Sequence, residues 1–158
     1  MNAHEIQQIE MALRCKLPQT FVRFMLNYPE ALKTTNWVLE SDNGDTYTQS
    51  PAQMELSATA DEIIALNQDS PAEYRYSAKL NNWPNSHLII GTDGGGGCFA
   101  IDMTREGSPV YYADTSSGYF DPQSDGLDMY FREIAGSLEE FSMDLIRRYR
   151  KDPYYRPD

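Results

Sequence analysis

The amino-terminal part of the chain places apolar and polar residues with the 3.6-residue period of helices. Residues 3 to 15 form the first such stretch, and Asn2 with Glu5 three positions later fits a capping box at its start. The break at Leu17-Pro18 begins a second helix, because proline is tolerated in a first helical turn. The apolar faces of the two helices consist of Ile6, Ile9, Leu13, Phe21, Phe24 and Met25. They predict a helical corner packed on a sheet.

The middle of the chain carries short apolar runs bounded by glycine, proline and aspartate, which is typical of strands. The runs lie at residues 37–39, 54–57, 88–90, 98–101, 109–114 and 129–131. Two more helices are expected, each beginning at a Ser/Thr-x-x-Glu capping box. The box from Thr59 to Glu62 stands at the start of a helix over about 60–69, and the box from Ser137 to Glu140 stands at the start of a closing helix. The apolar face of the closing helix consists of Leu138, Phe141, Leu145 and Tyr149.

The elements follow in the order two helices, strands, a helix, a run of strands and a helix. This order predicts an α+β fold in a single domain, with a mainly antiparallel sheet and helices packed mainly on one face. A chain of 158 residues is long enough for one domain that buries roughly 70% of its unfolded surface. We expect residues 1–150 to form this domain and residues 151–158 to form an extended C-terminal tail.

Four consecutive glycines, Gly94 to Gly97, stand between two of the predicted strands. A phosphate-binding loop would need a Lys-Ser/Thr pair leading into a helix, whereas these glycines lead into the strand-like run Cys98-Phe99-Ala100-Ile101. Asp93 would also repel an anion. We therefore expect a structural loop that connects two strands of one sheet. Its residues are Asp93, Gly94, Gly95 and Gly96.

Acidic residues outnumber basic ones by 24 to 13, and the formal net charge of -11 is unevenly distributed. Residues 40 to 128 hold fifteen acids against Arg75, Lys79 and Arg105. This balance argues against a nucleic-acid partner, because phosphate recognition needs lysine and arginine facing the backbone. It favours a basic protein partner, or it serves solubility alone.

The sequence indicates neither a membrane span nor an export signal. No apolar run approaches the roughly 18 residues that a transmembrane helix needs, so no membrane association is expected. The first residues, Met1 to Glu5, lack the basic and apolar regions of a signal peptide. We therefore expect a cytoplasmic protein.

The residue types that carry catalysis or bind metals are scarce and scattered. His4 and His87 are the only histidines, and neither has a cysteine or carboxylate at ligand spacing. No Gly-x-Ser-x-Gly motif is present, and Cys15 and Cys98 stand among ordinary core residues, as buried reduced thiols do. We expect no metal, no cofactor and no enzymatic activity. A small hydrolase that uses a pair of carboxylates is the alternative.

The chain also contains an ordered set of short motifs. These are Ile6, Ile9 and Glu10, Leu17-Pro18, Phe21 and Phe24, Leu56-Ser57, Glu62-Ile63, Leu88 to Gly96, Ile101-Asp102, Pro109-Val110-Tyr111, Asp114, and Ser137 to Phe141. In this order they resemble the SUKH superfamily, which includes a yeast regulator of cell-wall synthesis and many bacterial immunity proteins. The likeness covers roughly residues 4 to 148.

The resemblance implies a non-enzymatic binding domain. It also implies a role like that of the bacterial members that look like immunity proteins, which sit in the cytosol and block a cognate toxin, often a nuclease. A nuclease presents a basic cleft, which an acidic protein can occupy through electrostatically steered association. The candidate partner-binding residues are loop acids and aromatic anchors, namely Asp42, Asp45, Trp83, Asp114, Tyr119, Phe120, Asp121, Asp125 and Asp128. The alternative within the same fold is a regulatory or scaffold module that has no toxin partner.

Overall fold

The computed structural model describes residues 1–33, 37–39, 55–68, 86–92, 97–114 and 131–151. Its helices are α1 (Ala3–Leu13), α2 (Gln19–Leu26), α3 (Ala60–Gln68) and α4 (Leu138–Arg148), with a short 3-10 helix at Glu30–Lys33. Its strands are β1 (Trp37–Leu39), β2 (Glu55–Leu56), β3 (His87–Thr92), β4 (Gly97–Asp102), β5 (Val110–Asp114), β6 (Phe131–Ala135) and β7 (Tyr149–Lys151).

Helix α1 begins at the predicted capping box. The side-chain oxygen of Asn2 accepts the backbone N–H groups of His4 and Glu5 at 2.9 and 3.1 Å, and the Glu5 carboxylate accepts the N–H of Asn2 at 2.6 Å. These reciprocal bonds satisfy donors that the first helical turn cannot pair internally. The helix ends because Arg14 adopts a left-handed conformation with a φ of 52°. Cys15 therefore follows the helix, and the prediction that it lies within one is wrong.

The capping box of α3 also forms as predicted, and that of α4 forms in a shifted version. The Thr59 hydroxyl accepts the N–H of Glu62 at 3.3 Å, and the Glu62 carboxylate accepts the N–H of Thr59 at 3.2 Å. At α4 the Ser137 hydroxyl accepts the N–H of Glu140 at 3.1 Å. The Glu140 carboxylate reaches one residue further back and accepts the N–H of Gly136 at 3.0 Å. Both helices thus begin where the local sequence encodes a cap.

Five strands form one antiparallel sheet in the order β2-β3-β4-β5-β6, and β1 pairs with β7 in a separate two-stranded sheet. The two strands that flank the glycines, β3 and β4, are antiparallel neighbours with Leu88 opposite Ile101. The prediction of a single-domain α+β fold with a mainly antiparallel sheet is confirmed.

Two element boundaries differ from the sequence prediction. The last strand of the larger sheet, β6, begins where the run at 129–131 was expected to end, and residues 129 and 130 lie outside the described part of the chain. The exposed, charged Arg132 and Glu133 interrupt the apolar pattern from which a strand would be predicted. Charged side chains are frequent on the strand at the end of a sheet. Tyr149, expected on the face of the closing helix, begins β7 instead and pairs with Leu39. Because Tyr149 and Leu39 lie far apart in the sequence, no local pattern predicts that they pair.

The helices cover one face of the sheet and enclose the main apolar core. The strands contribute Leu88, Ile90, Phe99, Ile101, Val110, Tyr112 and Ala135, and the helices contribute Ile6, Ile9, Phe21, Met25, Ile63, Leu138, Phe141 and Leu145. The Phe99 ring lies 5.4 Å from that of Phe141, so α4 packs across the middle of the sheet. The predicted helical faces point into this core, although Leu13 and Phe24 are only partly buried at its margin.

The opposite face of the sheet has a smaller cluster at its centre. Its buried members are Ile89, Cys98, Ala100 and Ala113. Leu66 of α3 packs against this cluster, because α3 lies along β3. Cys98 is a buried thiol outside any disulfide, as predicted, whereas Cys15 is a reduced thiol that is only half-buried.

Beyond the end of β2, the side chain of Asn67 in α3 makes the hydrogen bonds to β3 that a neighbouring strand would make. β2 pairs with β3 at only two positions, Gly91 and Thr92. At Ile89 the Asn67 side chain accepts the backbone N–H at 2.9 Å and donates to the carbonyl at 2.8 Å. The same amide donates to the carbonyl of Ile63 at 2.8 Å. Because Ile89 is buried, its backbone groups would otherwise lose their hydrogen bonds to water.

The substitution Asn67→Ala should lower the free energy of unfolding by about 2 kcal/mol, because it leaves the buried N–H and C=O of Ile89 unsatisfied. Urea unfolding followed by circular dichroism measures the change. The matched control is Gln68→Ala, which removes an exposed bond of 2.7 Å to the carbonyl of Ala12. The control should cost about 0.5 kcal/mol, and equal losses in the two variants would contradict the role assigned to Asn67.

Candidate partner-binding surface

The turn between β4 and β5 is fixed by a buried serine. Ser108 is fully buried and has a φ of 52°, a conformation that non-glycine residues adopt rarely. Its hydroxyl is hydrogen-bonded to the hydroxyl of Thr20 in α2, and its N–H donates to the carbonyl of Arg105 at 3.2 Å. The turn is therefore held against the start of α2, and the backbone of Arg105 has a defined position.

A second contact joins the same turn to the start of α4. The carbonyl of Gly107 accepts the backbone N–H of Leu138 at 3.0 Å, which satisfies a donor in the first turn of that helix. Gly107 has a φ of 79°, and a Cβ at this position would lie 3.3 Å from the Cβ of Ser137. Glycine is required here for both reasons. The turn thus bridges two helices and cannot move independently of them.

Three polar side chains meet on the face of the sheet opposite the helices, next to this turn. The Nη1 of Arg105 donates to the hydroxyl oxygen of Tyr111 at 2.5 Å and to Oε2 of Glu133 at 2.7 Å. The Tyr111 hydroxyl in turn donates to the same carboxylate oxygen at 2.9 Å. Tyr111 and Glu133 face each other in the register of β5 and β6. The side chains of Arg105 and Glu133 are 51% and 40% exposed, so the three residues form a connected surface network.

His87 and Asp102 support this network from β3 and β4. The His87 ring meets the Tyr111 ring edge to face, with centroids 5.2 Å apart. His87 stands opposite Asp102 in the strand register. The buried Asp102 carboxylate accepts the N–H and the hydroxyl of Thr104 at 2.8 and 2.6 Å. The Oδ1 atom of Asp102 therefore helps to fix the backbone at the start of the turn.

The charges of the network favour a binding role over acid–base chemistry. Burial raises the pKa of Tyr111, and the nearby Glu133 carboxylate raises it further, so the tyrosine stays protonated and acts as a donor. The hydrogen bond from Arg105 lowers the pKa of Glu133, and the Glu133 carboxylate raises the pKa of Arg105. All three side chains therefore hold fixed protonation states around neutral pH, whereas a general base works best with a pKa near the working pH.

The two supporting residues also have shifted pKa values. Burial lowers the pKa of His87 from its ordinary 6.5, although the Asp102 carboxylate opposes this shift. Burial alone would raise the pKa of Asp102, but the two hydrogen bonds from Thr104 and the charges of His87 and Arg105 outweigh it and lower the pKa. At neutral pH, His87 is an uncharged ring and Asp102 an ionised carboxylate.

One exposed acid lies beside the network, because Glu106 follows Arg105 in the turn itself. We define the hairpin rim as the surface formed by Arg105, Glu106, Tyr111 and Glu133. It carries two carboxylates and one guanidinium, and it is acidic on balance. Tyrosine and arginine are also the residue types that most often anchor protein interfaces.

The structure describes one of the partner-binding residues predicted from the sequence. Asp114 is the last residue of β5 and pairs with Gly97, at the end of the strand away from the hairpin rim. The other predicted contacts lie outside the described residues; they are Asp42, Asp45, Trp83, Tyr119, Phe120, Asp121, Asp125 and Asp128. The predicted structural loop, Asp93, Gly94, Gly95 and Gly96, lies outside them as well. These assignments stay predictions.

Sequence reasoning missed the hairpin rim for a specific reason. The pattern predicts Tyr111 only as a strand residue and Arg105 only as a turn residue, and Glu133 lies beyond the strand predicted at 129–131. The sequence Val-Tyr-Tyr-Ala at 110–113 shows no alternation of apolar and polar residues, and only the structure shows half-buried Tyr111 between the buried Val110 and Tyr112. That alternation in burial points its side chain to the other face of the sheet.

Within the segments that the structure describes, no group of three or more histidine, cysteine, aspartate or glutamate residues is arranged to hold a metal ion. Among the same residues, no helix has the length and apolar character needed to cross a membrane. The half-buried thiol of Cys15 has its pKa raised by burial and by the charge of Glu10, so it is not an activated nucleophile.

Comparison with known protein families agrees with this architecture. The model of the SMI1 / KNR4 family (SUKH-1) matches residues 2–144 of the chain. The chain therefore belongs to the SMI1 / KNR4 family, and the resemblance to the SUKH superfamily is confirmed. No curated protein and no solved structure matches the chain.

The lowered pKa of His87 predicts a loss of stability on acidification. Below pH 6.5 the unfolded chain binds a proton at this position before the folded protein does, so the free energy of unfolding falls as the pH drops from 6.5 towards the lower folded-state pKa. NMR titration of the two histidine rings measures the folded pKa, and His87→Gln assigns the signal. The variant should show a shallower decline of stability below pH 6.5, and an unchanged slope would contradict this account.

The Tyr111 network makes a separate prediction about tyrosine ionisation. Glu133→Gln should lower the pKa of Tyr111, because the carboxylate that disfavours the phenolate is removed. Arg105→Gln should raise the same pKa, because a stabilising positive charge is lost. Ultraviolet difference titration against Tyr111→Phe in each background isolates this residue among the 11 tyrosines. Shifts of the same sign in both variants would refute the assigned geometry.

Proposed function

We propose that this chain is an immunity protein that binds and neutralises a cognate toxin domain, such as a nuclease, through an acidic surface and without catalysis of its own. The observation that carries the proposal is membership of the SMI1 / KNR4 family over residues 2–144. The acidity of the chain adds the electrostatic reason. A protein that blocks a basic cleft needs a surface that is complementary in charge.

The acidic excess lies mainly in segments outside the described residues. The described residues hold 13 acids and 10 basic residues, out of 24 and 13 in the whole chain. The remaining segments therefore hold 11 acids and three basic residues. We propose that Asp42, Asp45, Asp114, Asp121, Asp125 and Asp128 supply the charge of the toxin-binding surface, with Trp83, Tyr119 and Phe120 as its apolar anchors.

Such a surface would act first on the rate of association. Complementary charges steer two proteins into contact and raise the association rate well above that of uncharged surfaces, and the effect weakens as salt screens the charges. The aromatic side chains would then slow dissociation by filling pockets on the partner. An immunity protein needs both properties, because the toxin must be captured before it reaches its substrate.

Co-expression with the product of the adjacent upstream gene tests the proposal. The two proteins should co-purify, and expression of this chain should restore growth to cells that produce the toxin domain. Rescue without co-purification would indicate a different mode of protection. If the neighbouring product is not toxic and the chain protects cells from no candidate toxin, the immunity function is wrong and the scaffold alternative is favoured.

Charge steering gives a quantitative prediction for the same complex. Replacing Asp121, Asp125 and Asp128 together with Asn should slow association about tenfold at low ionic strength and should flatten its dependence on salt. The matched control replaces the same three residues with Glu, which keeps the charge and changes the side-chain length. Stopped-flow measurements at several salt concentrations give the rates. If the Asn and Glu variants associate equally fast, charge at this segment does not steer binding.

A further inference from the structure

We propose that the hairpin rim is part of the toxin-binding surface, with Tyr111 as its central anchor and with a basic segment of the toxin domain as its occupant. This inference rests on the proposed immunity function and assigns that function to described residues that the sequence did not single out for binding. The rim consists of Arg105, Glu106, Tyr111 and Glu133, around the turn between β4 and β5.

Stability alone does not explain the Arg105–Tyr111–Glu133 network. Exposed ion pairs contribute little to folding, because solvent screens them and their side chains lose freedom when they pair. Arg105 and Glu133 are both well exposed, yet they are bonded to each other and to the same tyrosine oxygen. What the network does achieve is to hold the Tyr111 and Arg105 side chains in single orientations.

The fixed orientation of these side chains favours binding. A side chain that is already ordered loses less conformational entropy when a partner covers it. Tyr111 is ordered at its hydroxyl by Arg105 and Glu133 and at its ring by His87. The backbone beneath is ordered too, because Ser108 and Gly107 hold the turn against α2 and α4. The rim is thus a preorganised aromatic and polar surface on a rigid element.

The charge of the rim indicates the chemistry of its occupant. Arg105 is neutralised by its pairing with Glu133, which leaves the exposed Glu106 to set the local charge. Carboxylates beside an aromatic ring suit a lysine or arginine side chain, which can pair with the acids and lie against the ring face. A basic toxin domain offers such side chains, so its charge complements both the rim and the acidic excess of the whole chain.

Binding measurements with rim variants and the toxin domain from the upstream gene test the inference. Tyr111→Ala should weaken the complex by about 30-fold or more, as expected for an aromatic anchor. Tyr111→Phe keeps the ring and removes only the hydroxyl bonds, so it should weaken the complex by roughly three- to tenfold. Isothermal titration calorimetry gives the Kd values, and circular dichroism with thermal unfolding shows whether each variant retains its fold.

A matched pair of variants tests the role of charge at the rim. Glu106→Lys reverses the charge of an exposed acid of the rim. The control, Asp61→Lys, reverses the charge of an exposed acid on α3. Helix α3 packs along β3, towards the β2 end of the sheet, whereas Tyr111 and Glu133 of the rim lie on β5 and β6. Both change the net charge equally. The rim variant should weaken binding at least about tenfold, and the α3 variant should weaken it less than about threefold.

The outcomes separate the inference from the function on which it rests. If the wild-type chain binds the toxin domain and all rim variants bind equally well, the rim is wrong and the immunity function stands. If the wild-type chain does not bind, both are overturned. Light scattering of the free protein covers one other occupant: a wild-type dimer that Tyr111→Ala dissociates would make the rim a contact between two copies and would overturn the toxin assignment.

Discussion

Burial of the central strand β4 on both faces is the constraint on which the rest of the structure depends. All six of its residues are buried, so two layers of side chains must cover it. Phe99 and Ile101 point to the helices, and Cys98 and Ala100 point to the opposite face. The large residues on one side allow α1, α2 and α4 to pack there, whereas the small residues on the other side leave a shallower cluster. The face with the large residues is therefore the core face, and the rim of the other face can carry exposed side chains.

The turn that follows β4 holds nearby surface residues in place against the core. Ser108 and Gly107 attach the turn to the starts of two helices that are themselves seated on the core. Arg105, in the same turn, can therefore bond two neighbouring strands through Tyr111 and Glu133. A surface network built on a loop with few contacts would be averaged by motion, but here the backbone beneath it is fixed. The exposed residues of the candidate surface therefore stand on a rigid support.

Much of the fold followed from local chemistry in the sequence. The three capping boxes placed the starts of α1, α3 and α4, because each satisfies the first donors of a helix with side chains a few residues away. The run around the glycines gave a correct pair of antiparallel strands, since β-branched and aromatic residues bounded by glycine favour such pairs. Less could be predicted at the edges of the sheet. The run at 54–57 gave the two-residue strand β2, whereas β6 carries charges where its outer face meets solvent and so has no strong apolar period.

The sequence by itself determined the helix starts, the apolar faces, the fold class, the acidic balance and the family, because all of these depend on spacings of a few residues or on composition. Only the tertiary structure decided which polar residues meet. Arg105, Tyr111 and Glu133 belong to a turn and two strands, and the register of β5 against β6 brings Tyr111 opposite Glu133. Asn67 likewise becomes a strand substitute only because α3 lies along β3. Strand register and helix placement are set by burial of the whole core, so contacts between distant polar residues cannot be read from local patterns.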